Sequence, residues 1–289
     1  MAQLIRVLVL GFCIAAAAPY PRLLATAGAP AGWQSAPPAP ATSITLSDEA
    51  MEAFLKTARI VSTRDAGAGV TNSRRATLSD GAITHDAHIQ VIDEARPVFQ
   101  AGAHTELNFR DSYRYNIAAF RVARLVGLAN VPMSVERRID GKTAAITWWV
   151  DDVKMDEKAR LKQKASGGPH AERVSKQIHT MRVFDELIQN RDRNQGNILW
   201  TGDFTMWMID HTRAFRLDRK LMKPNQLTRI ERSLLEGLRG LTKDAVVKAT
   251  AGALSEGEVV QLMARRDALV QLFEGRIARA GEAAVVFTL

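Results

Sequence analysis

Apolar residues recur at helical spacing in Met51, Phe54, Leu55 and Ala58, directly after Ser47-Asp48-Glu49-Ala50. A hydroxyl cap followed by early acids starts a helix, so a first helix is expected there. The period then shortens. Gly67, Gly69 and Gly81 punctuate residues 66–95, and Ala87, Ile89 and Val91 alternate with His88, Gln90 and Ile92. This predicts two or three short strands, the last ending near Ile92. Helical spacing returns over about 111–127, where Tyr115, Ala118, Ala119, Val122 and Leu125 share a face and Gly127 and Pro132 end the run. Residues 134–138 and 143–150 flank Asp140-Gly141, a strong hairpin signal.

Residues 152–169 are charged and end in Ser166-Gly167-Gly168-Pro169, which reads as a loop. A helix over 170–189 carries Val174, Ile178, Met181, Phe184, Asp185 and Ile188 in its pattern, and strands over 198–200 and 206–209 bracket a turn at Thr201-Gly202-Asp203. The remainder predicts helices over 227–238, 242–251 and 257–279. Strands with one long helix precede residue 151 and mostly helices follow, so the expected class is α+β with two unequal lobes. Residues 43–151 would form the N-lobe with its leading helix and 152–289 the helical C-lobe. A small ligand is expected between them.

Composition changes this picture mainly at the N-terminus. Arg6 precedes an apolar run from Val7 to Ala18 and a small-residue stretch, the form of a targeting segment over 1–27. Six of the ten prolines fall before residue 41, so 28–42 reads as a linker. Export, periplasmic or secreted, is the expectation; the alternative is a cytoplasmic protein whose leader is an accident of the assigned start. Cys13 is the single cysteine, and the six histidines show no H-E-x-x-H spacing, so neither a disulfide framework nor a zinc site is expected. The net charge of +8 and pI near 9.9 favour acidic partners. The basic residues are spread along the chain without a nucleic-acid motif, so nucleic acid is not expected as a partner, while a membrane surface stays open.

The chemistry concentrates in residues 183–215. Asp192 and Asn197 form D-x-x-x-x-N in a polar turn after a helix, and Asp210 follows at the end of an apolar run. Phosphoryl transfer needs a carboxylate at the attacking hydroxyl and oxygen ligands for magnesium, and this window supplies candidates for both.

Asp192-Arg193-Asn194-Gln195-Gly196-Asn197 and Ile209-Asp210-His211-Thr212-Arg213-Ala214-Phe215 resemble the catalytic and metal-binding loops of the protein-kinase-like superfamily. The form is that of the phosphatidylinositol 3-/4-kinases, HipA-type kinases and secretory atypical kinases, D-R-x-x-G-N followed by I-D-x-x-x-A/G-F. The resemblance implies a small β-rich N-lobe and a larger helical C-lobe. Asp192 would orient or deprotonate the acceptor hydroxyl, with Arg193 beside it neutralising nearby carboxylates. Asn197 and Asp210 would hold Mg2+ or Mn2+ on the ATP phosphates, and Gly196 would permit the tight turn.

Gln90 stands where such kinases carry a lysine, and Asn116 where they carry its glutamate partner. The two can hydrogen-bond but supply no charge, although Arg74, Arg75, Arg110 or Arg114 could compensate. Trp149 could pack on adenine. Gly69, with Gly67, Thr71 and Ser73, could cradle phosphates. Arg213, Arg216, Arg219, Lys220 and Lys223 stand against only Asp218 in the segment after Asp210, which would suit an acidic or phosphorylated substrate or an anionic lipid. The leading expectation is therefore ATP- and metal-dependent phosphoryl transfer to an unidentified hydroxyl on a protein, lipid or small molecule. One alternative, motivated by Gln90 and Asn116, is a kinase-like binding protein without catalysis. Another, motivated by charge, is a basic adaptor for a membrane surface or nucleic acid.

Overall fold

Helix α1 (Asp48–Thr57) is capped by the Ser47 side chain, which accepts from Ala50 N. It buries Phe54 and Leu55, about 1.5–3 kcal/mol of hydrophobic stabilisation each. The computed structural model describes residues 46–66, 73–102 and 104–289. The targeting segment, the linker and Gly67, Gly69 and Thr71 lie outside the described residues. Among the described residues no helix is long and apolar enough to cross a membrane.

Strands β1 (Arg59–Asp65), β2 (Arg74–Ser79) and β3 (Thr84–Gln90) follow as an antiparallel meander. With β6 (Ser134–Ile139) and β7 (Lys142–Trp148), which come later in the chain, they make one sheet of order β1-β2-β3-β7-β6. The β6–β7 hairpin turns at Asp140 and Gly141, both with positive φ (51° and 78°), as the Asp-Gly pair predicts. Ala76, Leu78, Ala87 and Ile89 bury one face of this sheet. Helix α2 (Arg114–Leu125) packs on β6 and β7 with Ala118, Ala119 and Val122 fully buried. The strand register puts His88 and Gln90 on the opposite face from Ala87 and Ile89.

Two elements lie where the hydrophobic pattern showed none. Strands β4 (Asp93–Ala101) and β5 (His104–Ser112) pair only with each other, as an antiparallel ribbon between β3 and α2. Residues 111 and 112, expected to open the helix, therefore finish β5. The charged stretch after 152 also holds more than a loop. It contains β8 (Val153–Asp156) and α3 (Glu157–Lys162), capped by the Asp156 side chain. Glu157 takes both Arg160 and the indole N–H of buried Trp200.

Helix α4 (Ala171–Ile188) is the spine of the helical part and buries Val183, Phe184, Leu187 and Ile188. Strands β9 (Ile198–Thr201) and β10 (Met206–Met208) follow and pair with β8 in the order β10-β9-β8. Short β11 (Ile230–Glu231) then leads into α5 (Arg232–Gly240), α6 (Lys243–Ala249) and α7 (Glu256–Ala280), the last opened by a Ser255–Glu258 capping box. Packing of α7 on α4 closes this part of the core through Leu262, Leu269 and Phe273.

Helix α5 meets the end of α2 at Gly237, where a Cβ would lie 2.7 Å from Val126 Cα and 2.7 Å from its carbonyl oxygen. Backbone cannot yield there as a side chain can. Gly237→Ala gains about 1 kcal/mol of helix propensity but forces the helices apart, and we expect a net loss of about 2 kcal/mol. Thermal denaturation should show a melting temperature lower by about 6 °C; a rise would refute the close approach.

Candidate active site

The C-terminus of α4 organises the first loop. Gln189 ends the helix in the left-handed region (φ 48°). Asn190 N–H then reaches back to the Asp185 carbonyl at 2.9 Å, and its amide donates to Asp185 Oδ1 at 3.2 Å. Asn190 Oδ1 accepts from Asp192 N at 3.1 Å, and Asn194 Oδ1 accepts from Gly196 N at 2.9 Å. These side-chain turns need Asn or Asp at those places, which explains the polar composition. Gly196 is not among the residues with positive φ. A Cβ there would come 3.2 Å from Asn194 Oδ1, so glycine supplies room rather than the special backbone angle expected of it.

Asn197 Nδ2 donates to the Asp192 carbonyl at 3.2 Å, which fixes the amide and leaves Oδ1 as the atom able to face a cation. Asp210 lies one strand pair away, just beyond β10. Its φ is 52°, a strained region for a residue with a Cβ, costing about 1 kcal/mol. Thr212 Oγ1 donates to Asp210 Oδ1 at 3.0 Å.

Arg193 ties the two loops together. Its Nη1 donates to the carbonyls of Asn197 and Ile209, both at 2.8 Å. Its Nε donates to Asp185 Oδ2 at 3.0 Å, and Nη2 donates to Asp185 Oδ1 at 3.0 Å and to His211 Nε2 at 2.9 Å. The carboxylate it neutralises is thus Asp185, a residue of the α4 pattern. His211 is buried, and burial with the neighbouring Arg193 charge holds its pKa well below the ordinary histidine value. It is neutral, with Nε2 accepting and the proton on Nδ1.

Gln90 and Asn116 meet as anticipated. Asn116 Nδ2 donates to Gln90 Oε1 at 2.6 Å, and Asn116 Oδ1 accepts from His211 N at 2.7 Å. β3, α2 and the Asp210 turn are therefore joined through one buried amide. Ser112 N adds a bond to the Thr212 carbonyl at 2.9 Å. Asn116→Ala leaves the Gln90 amide oxygen and the His211 N–H unpaired. We expect a loss of about 2–3 kcal/mol in denaturant unfolding, whereas a loss below about 1 kcal/mol would mean that water replaces the amide.

Three of the four arginines that could compensate are engaged elsewhere, while Arg110 is exposed on β5 and makes no ion pair among the described residues. Arg74 pairs with Asp140, Arg75 with Asp86 and Arg114 with Asp93. The Arg75 guanidinium also lies 4.0 Å over the Trp149 ring, covering one of its faces. Trp148 stacks on His85 with ring centroids 3.7 Å apart. His88 shares the face of Gln90; burial lowers its pKa, with Asp210 pulling the other way.

Asp111, on unassigned β5, was missed in the sequence. Burial raises its pKa, and the charges of Asp210 and Asp192 add to that against Thr212 and Arg213. Its Oδ1 is buried without a hydrogen-bond partner. Three carboxylates thus share one electrostatic neighbourhood, the condition a divalent cation relieves. Among the described residues no group of three or more histidine, cysteine or carboxylate side chains is arranged to hold a metal. Asp185 carried a readable signal, as a charged residue on the apolar face of a helix. Asp111 carried none.

Solved structures share this architecture. The structure of hydra Fam20 with sugar superposes with a TM-score of 0.62 at 14% identity, over 83% of this chain and 92% of that one. The Golgi casein kinase with Mn/ADP bound superposes with a TM-score of 0.60 at 13% identity, over 82% and 78%. No protein-family model and no curated protein matches the sequence. The chain thus has the fold of these kinase structures, a mixed α+β architecture with a β-rich N-terminal part and a helical C-terminal part.

Proposed function

We propose that this protein is a phosphotransferase that moves the γ-phosphoryl group of ATP, with Mg2+ or Mn2+, onto a hydroxyl of an unidentified acceptor. The observation that carries the reading is the Arg193 bridge between the carbonyls of Asn197 and Ile209, which sets Asp192, Asn197 and Asp210 on adjoining turns. Asp192 orients the acceptor hydroxyl and takes its proton as the oxygen attacks phosphorus. Asn197 Oδ1 and Asp210 hold the cation. The cation's contribution is to neutralise charge on the phosphate oxygens. Arg193 acts as a positioning residue, since its nitrogens are occupied by Asp185, two carbonyls and His211.

Gln90 Oε1 is taken by Asn116, so its Nε2 hydrogens are the ones left for phosphate oxygens. A neutral donor replaces a cation there. The family likeness to an enzyme solved with Mn/ADP supports the nucleotide and metal, and Trp149 and Gly69 remain candidates for the adenine and the phosphates. The leader and the likeness to a Golgi kinase support export.

A second reading, nucleotide binding without turnover, is favoured by the pairing of Arg74, Arg75 and Arg114 with acids, which leaves none of the three free to replace the lysine. A thermal-shift titration with ATP, with and without each metal, tests the proposal. The melting temperature should rise only with metal present, by the equivalent of about 2.7 kcal/mol when ATP is a hundredfold above its Kd, and ATP should be consumed. A shift without turnover would select the second reading; no shift at millimolar ATP would remove the nucleotide altogether.

A further inference from the structure

The β4–β5 ribbon keeps an unbroken antiparallel register from Asp93↔Ser112 to Ala101↔His104. In such a pair the backbone groups of alternate residues turn to the partner strand, and those of the residues between them turn outward. Three observations say which ones are outward. Ser112 N donates to the Thr212 carbonyl at 2.9 Å, and the Asn108 carbonyl accepts from Arg216 Nη1 at 3.3 Å. The even-numbered residues of β5 therefore face the segment after Asp210. Pro97, which has no N–H, stands opposite Asn108 and so faces out on the far edge, where proline is tolerated.

The two edges of the ribbon are thus unlike. Pro97 closes the β4 edge by taking a donor from it. The β5 edge is joined to the segment at Ser112 and then parts from it. Asn108, at φ 53°, gives its carbonyl to Arg216, but its N–H and both backbone groups of Glu106 have no partner among the described residues. They border a cavity of about 650 Å³, within the ordinary range of ligand sites. Thr105, Leu107 and Asn108 on its near wall are exposed, and Arg191, Leu217 and Asp218 stand on the far wall. The Glu106 carboxylate is taken up by Arg213 and Arg216, so the strip has no free charge to repel a strand.

We propose that the β5 edge at Glu106 and Asn108 is a docking site, where an extended segment of a partner polypeptide adds to the ribbon as a third strand. Main-chain bonds to Glu106 and Asn108 hold it, and exposed Leu107 and Leu217 meet apolar side chains at alternate positions of the incoming strand. A second copy of this chain fits less well. Its own β5 comes with β4 behind it, whereas the cavity is walled on the side away from β5. Arg191 on that wall directly precedes Asp192, so a docked strand runs beside the loop with the proposed base. Docking does not rest on the phosphotransferase reading.

The probe is a capped peptide of alternating valine and threonine, labelled with fluorescein and titrated into the full chain without nucleotide or metal. Anisotropy should saturate below about 1 mM peptide. Residue-resolved hydrogen exchange should show the amides of Glu106 and Asn108 slowed about tenfold by the peptide, and that of Leu107, which already faces β4, unchanged. Glu106→Pro removes one outward N–H and should weaken peptide binding about tenfold, the worth of one backbone hydrogen bond. Glu106→Ala loses the same carboxylate but keeps the N–H, and should stay within about threefold of the parent. The exchange measurement uses the parent protein and decides the matter if either variant folds poorly. No saturation, protection that does not alternate along β5, equal losses in the two variants, or a parent that sediments as a dimer dissociated by the peptide would each overturn the proposal.

Discussion

Asp210→Ala is expected to abolish the metal-dependent part of ATP stabilisation and to lower turnover by about a thousandfold, the scale of losing one preorganised electrostatic group at a transition state. The carboxylate is held by its surroundings and does not find its place by chance. Thr212 bonds one of its oxygens, the Asn116 amide anchors the next backbone N–H, and the residue itself sits at φ 52°. Alanine is disfavoured at that angle, so Asp210→Ala alone confounds lost chemistry with lost fold. Asp210→Asn separates them, because asparagine tolerates the left-handed region. It keeps the shape and should unfold within about 1 kcal/mol of the parent, while its neutral amide still fails to support metal-dependent ATP binding. Unfolding curves and ATP-dependent melting, measured on both variants, decide the matter. Asp210→Asn protein that still binds ATP with metal as well as the parent would end the assignment of Asp210 as a metal ligand.

The sequence was legible where local rules act alone. The Asp140-Gly141 turn, the α4 spine and the Asp192–Asp210 window all follow from short-range patterns. The Gln90–Asn116 contact, which spans 26 residues, was anticipated only through the resemblance, which puts the two where kinases pair a lysine with a glutamate. The β4–β5 ribbon was not. Among the described residues its strands pair only with each other, and Phe109 is the one buried apolar side chain they carry, so no clean alternation shows, and Val98 and Leu107 are left 54% and 67% exposed. Everything the ribbon brings to the site was hidden with it: Asp111 beside the Asp192 and Asp210 charges, and Glu106 against Arg213 and Arg216. The basic segment after Asp210 looked from sequence like a run of free cations. In the fold Arg213 and Arg216 share one glutamate, and what remains is an unfilled hydrogen-bonding capacity at two Nε atoms.

Arg193→Met should be among the most destabilising single changes in the chain. The Arg193 and Asp185 side chains are 8% and 10% exposed, and removing the guanidinium leaves a buried carboxylate with no counter-charge. Breaking such a pair costs about 3–5 kcal/mol, a large part of an ordinary domain's stability and worth about 10 °C or more in melting temperature. The same substitution also frees the carbonyls of Asn197 and Ile209, whose spacing sets the two halves of the site. Stability and function can be pulled apart here. Asp185→Leu combined with Arg193→Met removes the stranded charge and replaces the pair by packed apolar groups, an exchange that is often neutral or better. The double variant should therefore recover most of the lost stability while metal-dependent ATP binding stays impaired, because neither leucine nor methionine can bridge two carbonyls. Paired denaturant and ATP titrations on the three proteins give the answer. If the single variant loses less than about 1 kcal/mol, or if the double variant binds ATP as the parent does, the guanidinium is not what holds Asn197 and Asp210 in register.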